Sequence, residues 1–367
     1  MTLTGSPIAR LLEYGQSPWY DNLTRGLITG GGLTRFIEDD GIRGVTSNPT
    51  IFEKAMSSGE GYDEQLAALA RDQTAIDSVY WALVLDDIRH AADMLRPTYE
   101  ALDGSDGFVS VEVAPDLAQE TAATIEQAHW LHDQAARPNV FVKIPATRAG
   151  IPAIEECLAD GVPINITLIF SLARYAEVIE AYFRGLERHA EQGGDLSRLA
   201  SVASFFVSRV DTEADRRLPE DHPLRGKVAV ANAKLAYGLF RDTFTGERWA
   251  ALASRGARVQ RPLWASTSTK NPAYSDTLYV DDLVGPDTVS TLAQASIDAL
   301  HDHGDPQPDT ITRDVDGARQ VIDDLAGAGI DYGDLTGTLE REGVDSFERS
   351  YRDCLASLEK RAGELTG

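Results

Sequence analysis

The chain has 367 residues, with 34 Lys plus Arg against 58 Asp plus Glu and a formal net charge of −24. Hydrophobic residues make up 43% and charged residues 25%, the balance of a folded globular protein rather than a disordered one. So acidic a chain is a poor partner for duplex nucleic acid or an anionic membrane surface, both of which need clustered Lys and Arg.

Along the chain, short apolar or β-branched runs alternate with longer segments of helical period. A weaker strand candidate at 18–22 precedes a glycine-rich turn, Gly30-Gly31-Gly32. Strands are then predicted at 44–48 (GVTSN), 108–113 (FVSVEV), 140–144 (VFVKI), 164–170 (INITLIF), 199–207 (LASVASFFV), 262–265 (PLWA) and 277–280 (TLYV). In the helical segment 72–102, Ile76, Tyr80, Leu83, Asp87 and Ala91 recur three and four apart, and 172–189 and 228–244 behave alike. Strands separated by helices predict βα units on a parallel sheet. Eight such units, with no break where a second domain would begin, predict a single (β/α)8 barrel of the TIM-barrel type with extra helices. Segment 212–261 is longer than one helical connection needs and should hold an additional helix. The remainder, 304–367, reads as a C-terminal helical extension packed on the barrel. There Phe347, Tyr351, Cys354, Leu355 and Leu358 form one apolar stripe at offsets 0, 4, 7, 8 and 11, with Asp345 and Glu348 as a capping pair at the helix start.

The informative residues are those that interrupt the strands. In VFVKI, Phe141 and Lys143 face one way while Val142 and Ile144 face the other. Two readings of Lys143 stand at this point. It is a gatekeeper on an edge strand, or it is an amine held in a dry site, where burial disfavours the charged form and favours a nucleophile. Glu112 interrupts VSVEVA, with Ser110 on its face. In INITLIF, Asn165 and Thr167 share one face and Ile164, Ile166 and Leu168 the other. Ser204 and Phe206 share a face in ASFFV, and Asn48 closes GVTSN. Any one of these could be a hydrogen-bonded core group. In a barrel, however, polar residues near the C-terminal ends of several strands converge over one mouth. A lysine with a carboxylate, hydroxyls and amides, and no metal-ligand spacing, suits carbonyl chemistry through a Schiff base.

Other signals are set aside. His301 and His303 in HDHGD lie in an acidic segment and read as a solvated loop. The three glycines lack the Lys-Ser/Thr of a phosphate loop and the spacing of a dinucleotide fingerprint, so they read as a mobile turn, with a lining role as the alternative. Two cysteines, Cys157 and Cys354, cannot make a disulfide framework or a cysteine-rich metal site, and Cys157 reads as buried in a helix. The opening residues lack the pattern of a signal peptide, and no window approaches the ~18 apolar residues of a membrane span. A cytoplasmic enzyme without cofactor or metal is expected.

GVTSNPTIF (44–52) and VFVKIPAT (140–147) followed by Gly150 resemble the two signature segments of the transaldolase family, and INITLIFS, SVASFFVSR and SVEV resemble its other strand motifs, in order. The similarity runs from about 17 to about 300 and fits the tail from 304 only loosely. The resemblance implies a class I aldolase-type barrel that moves a dihydroxyacetone unit from a ketose phosphate (fructose 6-phosphate or sedoheptulose 7-phosphate) to an aldose phosphate (glyceraldehyde 3-phosphate or erythrose 4-phosphate), a reaction of the non-oxidative pentose phosphate pathway. It implies Lys143 as the Schiff-base lysine, Glu112 and Thr167 as the pair that positions a water, and Asp21 as the acid/base at the C4 hydroxyl. Asn48 and Asn165 match amides that orient donor hydroxyls, and Ser204 a serine of the donor site. Arg209 matches a phosphate-binding arginine, and Ser266 a serine nearby. The second cationic position, normally an arginine soon after Ala-Ser, falls on Lys270 in WASTSTKNP. Partners are sugar phosphates, with a monomer or homodimer expected.

The nearest rival is a class I aldolase of the fructose 6-phosphate type that releases free dihydroxyacetone. Such relatives carry Gln at the Glu112 position and Tyr at the Phe206 position, so Glu112 and Phe206 favour transfer. A pyridoxal phosphate enzyme would also use a lysine Schiff base, and a non-catalytic binding module is the third reading.

Overall fold

The computed structural model describes residues 5–59, 61–72 and 75–366. Eight parallel strands close into a barrel in sequence order: β1 Gln16–Asp21, β2 Gly44–Thr46, β3 Phe108–Glu112, β4 Val140–Pro145, β5 Ile164–Ile169, β6 Ser201–Phe206, β7 Arg261–Ala265 and β8 Thr288–Leu292. Closure comes from β1 pairing with β8, Trp19 opposite Thr291, which removes both sheet edges. The edge-strand reading of Lys143 therefore falls: β4 lies between β3 and β5, with Lys143 opposite Glu112 on one side and Asn165 on the other.

Seven of the predicted strands are present and the eighth is elsewhere. Residues 277–280 do not form a strand; Leu278–Asp281 is a short helix. TLYV has the composition of a strand, but Thr277 Oγ1 donates to Asp281 Oδ2 at 2.6 Å across one helical turn, and Tyr279 is drawn to Asp211 by a 2.8 Å bond. The true β8, TVSTL, shows little apolar alternation. Its two threonine hydroxyls bond within the barrel wall, Thr291 Oγ1 donating to the Trp264 carbonyl at 3.0 Å and Thr288 Oγ1 accepting from Gln16 Nε2 at 2.9 Å.

Alternation along the strands divides the barrel interior into two levels. Towards the N-terminal ends, Trp19, Phe108 and Phe141 pack ring on ring, with Phe108 and Phe141 centroids 4.1 Å apart. Two residues further along the same faces stand Asp21, Ser110 and Lys143. An apolar floor thus lies beneath a polar level at the C-terminal mouth. Between Ile166 and Ile169 the β5 register slips, and Leu168 takes a left-handed backbone (φ 57°). Leu168 consequently does not continue the face of Ile164 and Ile166; its side chain reaches Gly343 of the C-terminal helix.

Segments 72–102, 172–189 and 228–244 are helical as Ile76–Ala101, Leu172–Glu191 and Val228–Thr243. Segment 212–261 holds two further helices, Val228–Thr243 and Glu247–Ala253, after the one that follows β6, Ser208–Arg217. His301 and His303 are not in a loop but in the last turn of helix Gln294–His303, where His303 bridges Asp276 and Asp302. The glycine turn joins two short helices through Gly31 at φ 71°.

The C-terminal helix starts earlier than its stripe suggests. It runs Tyr332–Thr366, capped by Asp331, whose Oδ1 accepts the Asp334 N–H at 2.7 Å; Asp345 and Glu348 lie mid-helix. Gly333, Gly337 and Gly343 weaken helical propensity in its first half and hide the true start. At about 1.5 Å per residue it spans roughly 50 Å, crossing the barrel mouth. Tyr332 donates to Asn232 Oδ1 (2.6 Å) and accepts from the Leu172 N–H (3.1 Å) at one end, while Ser350 meets Thr50 (2.8 Å) and Arg361 pairs with Asp63 (2.6 Å) towards the other.

Gly44 begins β2 directly against the Trp19 indole, and a Cβ there would lie 2.3 Å from the ring. Gly44→Ala is expected to lower the unfolding free energy by about 1–3 kcal/mol through overpacking. A urea midpoint equal to wild type would show that the floor yields freely.

Candidate active site

Each polar residue at the mouth is placed by its strand register. Lys143 on β4 is 5% exposed, and its Nζ lies 3.2 Å from Glu112 Oε2 on β3 and donates to the Ser47 carbonyl at 3.2 Å. The contact with Glu112 is an ion pair rather than a well-aligned hydrogen bond, since Oε2 accepts none. Burial pushes the Glu112 carboxyl above the ordinary carboxylate range; the Lys143 ammonium opposes the shift without cancelling it. Ser47 is held in turn by its Oγ, which donates to the Ser110 carbonyl at 2.7 Å.

A chain of hydrogen bonds fixes the amide level. Ser204 Oγ on β6 donates to Asn165 Oδ1 (2.7 Å), and Asn165 Nδ2 on β5 donates to Ser110 Oγ on β3 (3.0 Å). Thr167 is fully buried, yet its Oγ1 has no hydrogen-bond partner. Thr167 Oγ1 and Glu112 Oε2, the second paired with Lys143 but accepting no hydrogen bond, lie on strands that flank β4, which suits a water or a substrate hydroxyl near them. Asp21 at the end of β1 is held by Thr46 Oγ1 at 2.7 Å. Asn48 Oδ1 accepts the Ile51 N–H at 3.0 Å and caps helix Pro49–Ser57, so a ligand could engage only its amide nitrogen as a fresh donor.

Beyond β6, Phe206 packs on Phe170 (5.1 Å between centroids) and lies under the Arg209 guanidinium at 5.2 Å. Among the described residues no hydrogen bond or ion pair engages that guanidinium, and its burial works against the charged form. Ser266 takes a left-handed backbone (φ 56°) and meets Ser208 twice, Oγ to Oγ at 3.0 Å and through its carbonyl to the Ser208 N–H at 3.0 Å. Lys270 is exposed and lines a cavity beside Asp215 and Tyr274; Arg209 lines a neighbouring one, and the two cavities share Thr212. The sequence-predicted residues from Asp21 to Arg209 thus gather at one mouth, with Lys270 set apart. A surface cavity of about 700 Å³ lies elsewhere, lined by Trp81 and Trp130 on outer helices, and contains none of the polar set.

Sequence reasoning missed Thr46, Ser47 and the support behind Arg209. Thr46 and Ser47 lie inside the GVTSN motif, so their positions were visible although their roles were not. Behind Arg209, Asp211 accepts from Tyr279 Oη (2.8 Å) and the Ala229 N–H (2.8 Å), and Asp215 accepts from Tyr274 Oη (2.6 Å). The two tyrosine bonds tie the Arg209 helix to the 266–281 segment, and the Ala229 bond ties it to helix Val228–Thr243.

A closed parallel barrel with one buried lysine among carboxylate, hydroxyl and amide groups at its C-terminal mouth defines the class of lysine-centred barrel enzymes. The sequence model described as transaldolase/fructose-6-phosphate aldolase matches residues 18–358, so the match takes in the C-terminal helix as well as the barrel. A transaldolase of Acidothermus cellulolyticus is 50% identical over 356 residues, 96% of each chain. Transaldolase 2 of Streptomyces avermitilis is 48% identical over 363 residues, and a transaldolase of Saccharopolyspora erythraea 49% over 361, each covering 98% of both chains. The chain belongs to the transaldolase/fructose-6-phosphate aldolase family.

Burial pushes the Asp211 carboxyl up to about 6, against ~3.9 in an unfolded chain. The folded state therefore holds this proton more tightly. The associated stability is fully present below about pH 4 and is lost as pH rises through about 6. Asp211→Asn keeps an acceptor for the Ala229 N–H and removes the titration. The unfolding free energy of the variant minus that of wild type should rise between pH 4 and 7; a flat difference would place the Asp211 titration outside this range.

Proposed function

We propose that this chain is a transaldolase that works through a Schiff base on Lys143. The observation that carries the reading is the Lys143 amine, buried above an aromatic floor between Glu112 and the Ser47 carbonyl. In this mechanism the deprotonated amine attacks the C2 carbonyl of a ketose phosphate, and loss of water from the carbinolamine gives the imine. Glu112 exchanges the protons of that dehydration through a water that Thr167 also holds. Asp21 takes the C4 hydroxyl proton as the C3–C4 bond breaks, the aldose phosphate leaves, and the three-carbon unit remains on Lys143 as an enamine. The enamine then attacks the carbonyl of an acceptor aldose phosphate, Asp21 returns its proton to the oxygen that becomes the new C4 hydroxyl, and hydrolysis of the new imine restores the amine. Asn48, Asn165 and Ser204 orient the donor hydroxyls. Arg209 anchors phosphate, with Ser266 and Lys270 nearby; a guanidinium without a protein partner suits a dianion. Residence in the cytoplasm, as a monomer or homodimer, belongs to the same reading. Among the described residues no helix is long and apolar enough to cross a membrane.

Borohydride reduction in the presence of fructose 6-phosphate is expected to label Lys143 alone, read by peptide mass spectrometry, and Lys143→Met should abolish both label and turnover. Label at another lysine would overturn the mechanism. Glu112→Gln should slow imine formation and hydrolysis by roughly 10²–10⁴-fold, as loss of a positioned acid/base does, while leaving the Lys143 side chain in place.

The competing aldolase reading turns on Phe206, whose ring offers neither a proton nor an anchor for water beside the enamine. Phe206→Tyr is expected to raise the release of free dihydroxyacetone from fructose 6-phosphate without acceptor, relative to transfer. A variant that loses stability without that rise would identify the ring as packing alone.

A further inference from the structure

Arg209 is enclosed by two elements far apart in sequence. Phe206 of β6 lies on one side of its guanidinium, with the ring centroid 5.2 Å from Cζ, and Phe347 of the C-terminal helix contributes a second ring at 5.9 Å. The helix passes Leu168 and Arg209 at Gly343. A Cβ at Gly343 would stand 3.0 Å from Leu168 Cδ2 and 3.8 Å from Arg209 Nη1. Beside the guanidinium a cavity of about 430 Å³ opens between helix Ser208–Arg217 and the C-terminal helix, with Arg209, Thr212, Ser346 and Arg349 in its lining. Three carboxylates, Glu213, Glu342 and Asp345, share the lining, and Glu213 is paired with Arg216 and Arg217 at 2.7 and 2.6 Å.

Among the described residues nothing else restrains the guanidinium by hydrogen bond or ion pair. A free arginine side chain samples many rotamers, and a fork that must meet a phosphate with two parallel N–H groups loses affinity with each of them. Two aromatic rings select the orientation of the guanidinium while leaving its N–H edges open, and a desolvated ring attracts the cation electrostatically. We infer that Phe347 is a positioning residue for Arg209, so that the C-terminal helix, through Phe347 and the close approach at Gly343, sets the affinity of the mouth for the phosphate group of the substrate. The inference rests on Arg209 as the phosphate anchor.

The test uses the full-length chain and two readouts: KM for fructose 6-phosphate, and inhibition by inorganic phosphate competing with that donor. Phe347→Leu should raise both KM and the phosphate inhibition constant by about 3- to 30-fold, the range expected for loss of a partly desolvated cation–π contact. The rate at saturating donor should change less than about two-fold, because no reacting atom is touched. Phe347→Tyr, which keeps the ring, should restore wild-type values. If thermal unfolding shows that the leucine variant is not folded, Phe347→Met, of similar volume and without a ring, carries the same expectation. In an Arg209→Ala background Phe347→Leu should add nothing, since the two act as one unit. An equal effect in both backgrounds, an unchanged phosphate inhibition constant in Phe347→Leu, or a tyrosine variant as weak as the leucine one would each overturn the inference. If Arg209→Ala itself leaves phosphate inhibition unchanged, the phosphate anchor fails instead.

Discussion

A lysine amine withdrawn from water is the constraint around which the mouth is built. An isolated ammonium in an apolar interior would cost more than the ~5–15 kcal/mol by which a typical domain is stable. The charge is therefore tolerated only where partners are already in place. Here β3–β4 register sets Glu112 level with Lys143, and the chain leaving β2 turns the Ser47 carbonyl inward. Barrel closure is what makes the site dry. Without β1 against β8 the floor of Trp19, Phe108 and Phe141 would have an open side, and water would reach the amine from below.

The remaining polar groups divide by whether they are satisfied. Ser204, Asn165 and Ser110 form a continuous hydrogen-bonded chain across three strands, and Thr46 holds Asp21. These groups are fixed before any substrate arrives, which is the condition for orienting hydroxyls without reorganisation. Thr167 Oγ1 is buried without a partner, a state that natural interiors rarely tolerate unless something binds there, and Glu112 Oε2 meets Lys143 Nζ without accepting an aligned hydrogen bond. Under the proposed mechanism the rigid groups hold geometry, and Thr167 and Glu112 take part in exchange of water and protons.

The C-terminal helix joins the polar level of the mouth to Arg209. Its first turns hold the β5 side through Tyr332 and Asn232, its middle lies over Leu168 and Arg209, and its far end is tied to the helices after β2. The left-handed Leu168 belongs to this arrangement. The bulge that turns it towards Gly343 also ends the regular pairing of β5 just after Thr167. Backbone strain of this kind persists where packing over-determines it.

Much of this was legible without coordinates. A barrel strand has two buried faces, so a lysine or a glutamate inside an apolar run is conspicuous, and Lys143, Glu112, Asn165, Thr167 and Ser204 all stood out by alternation alone. The strand-helix rhythm likewise fixed the architecture. What local pattern could not supply was the partner of each group. TLYV carries more strand character than TVSTL, yet it is helical, with Thr277 bonded to Asp281 across the turn and Tyr279 bonded to the distant Asp211. Gly343 reads as a weak point in a helix, although it is where the helix packs tightly on Leu168. Phe347 reads as one more member of an apolar stripe until its ring is found beside a guanidinium. Periodicity reports which way a side chain points along its own element; which distant residue it meets is decided by closure and packing, and these exist only in the folded chain.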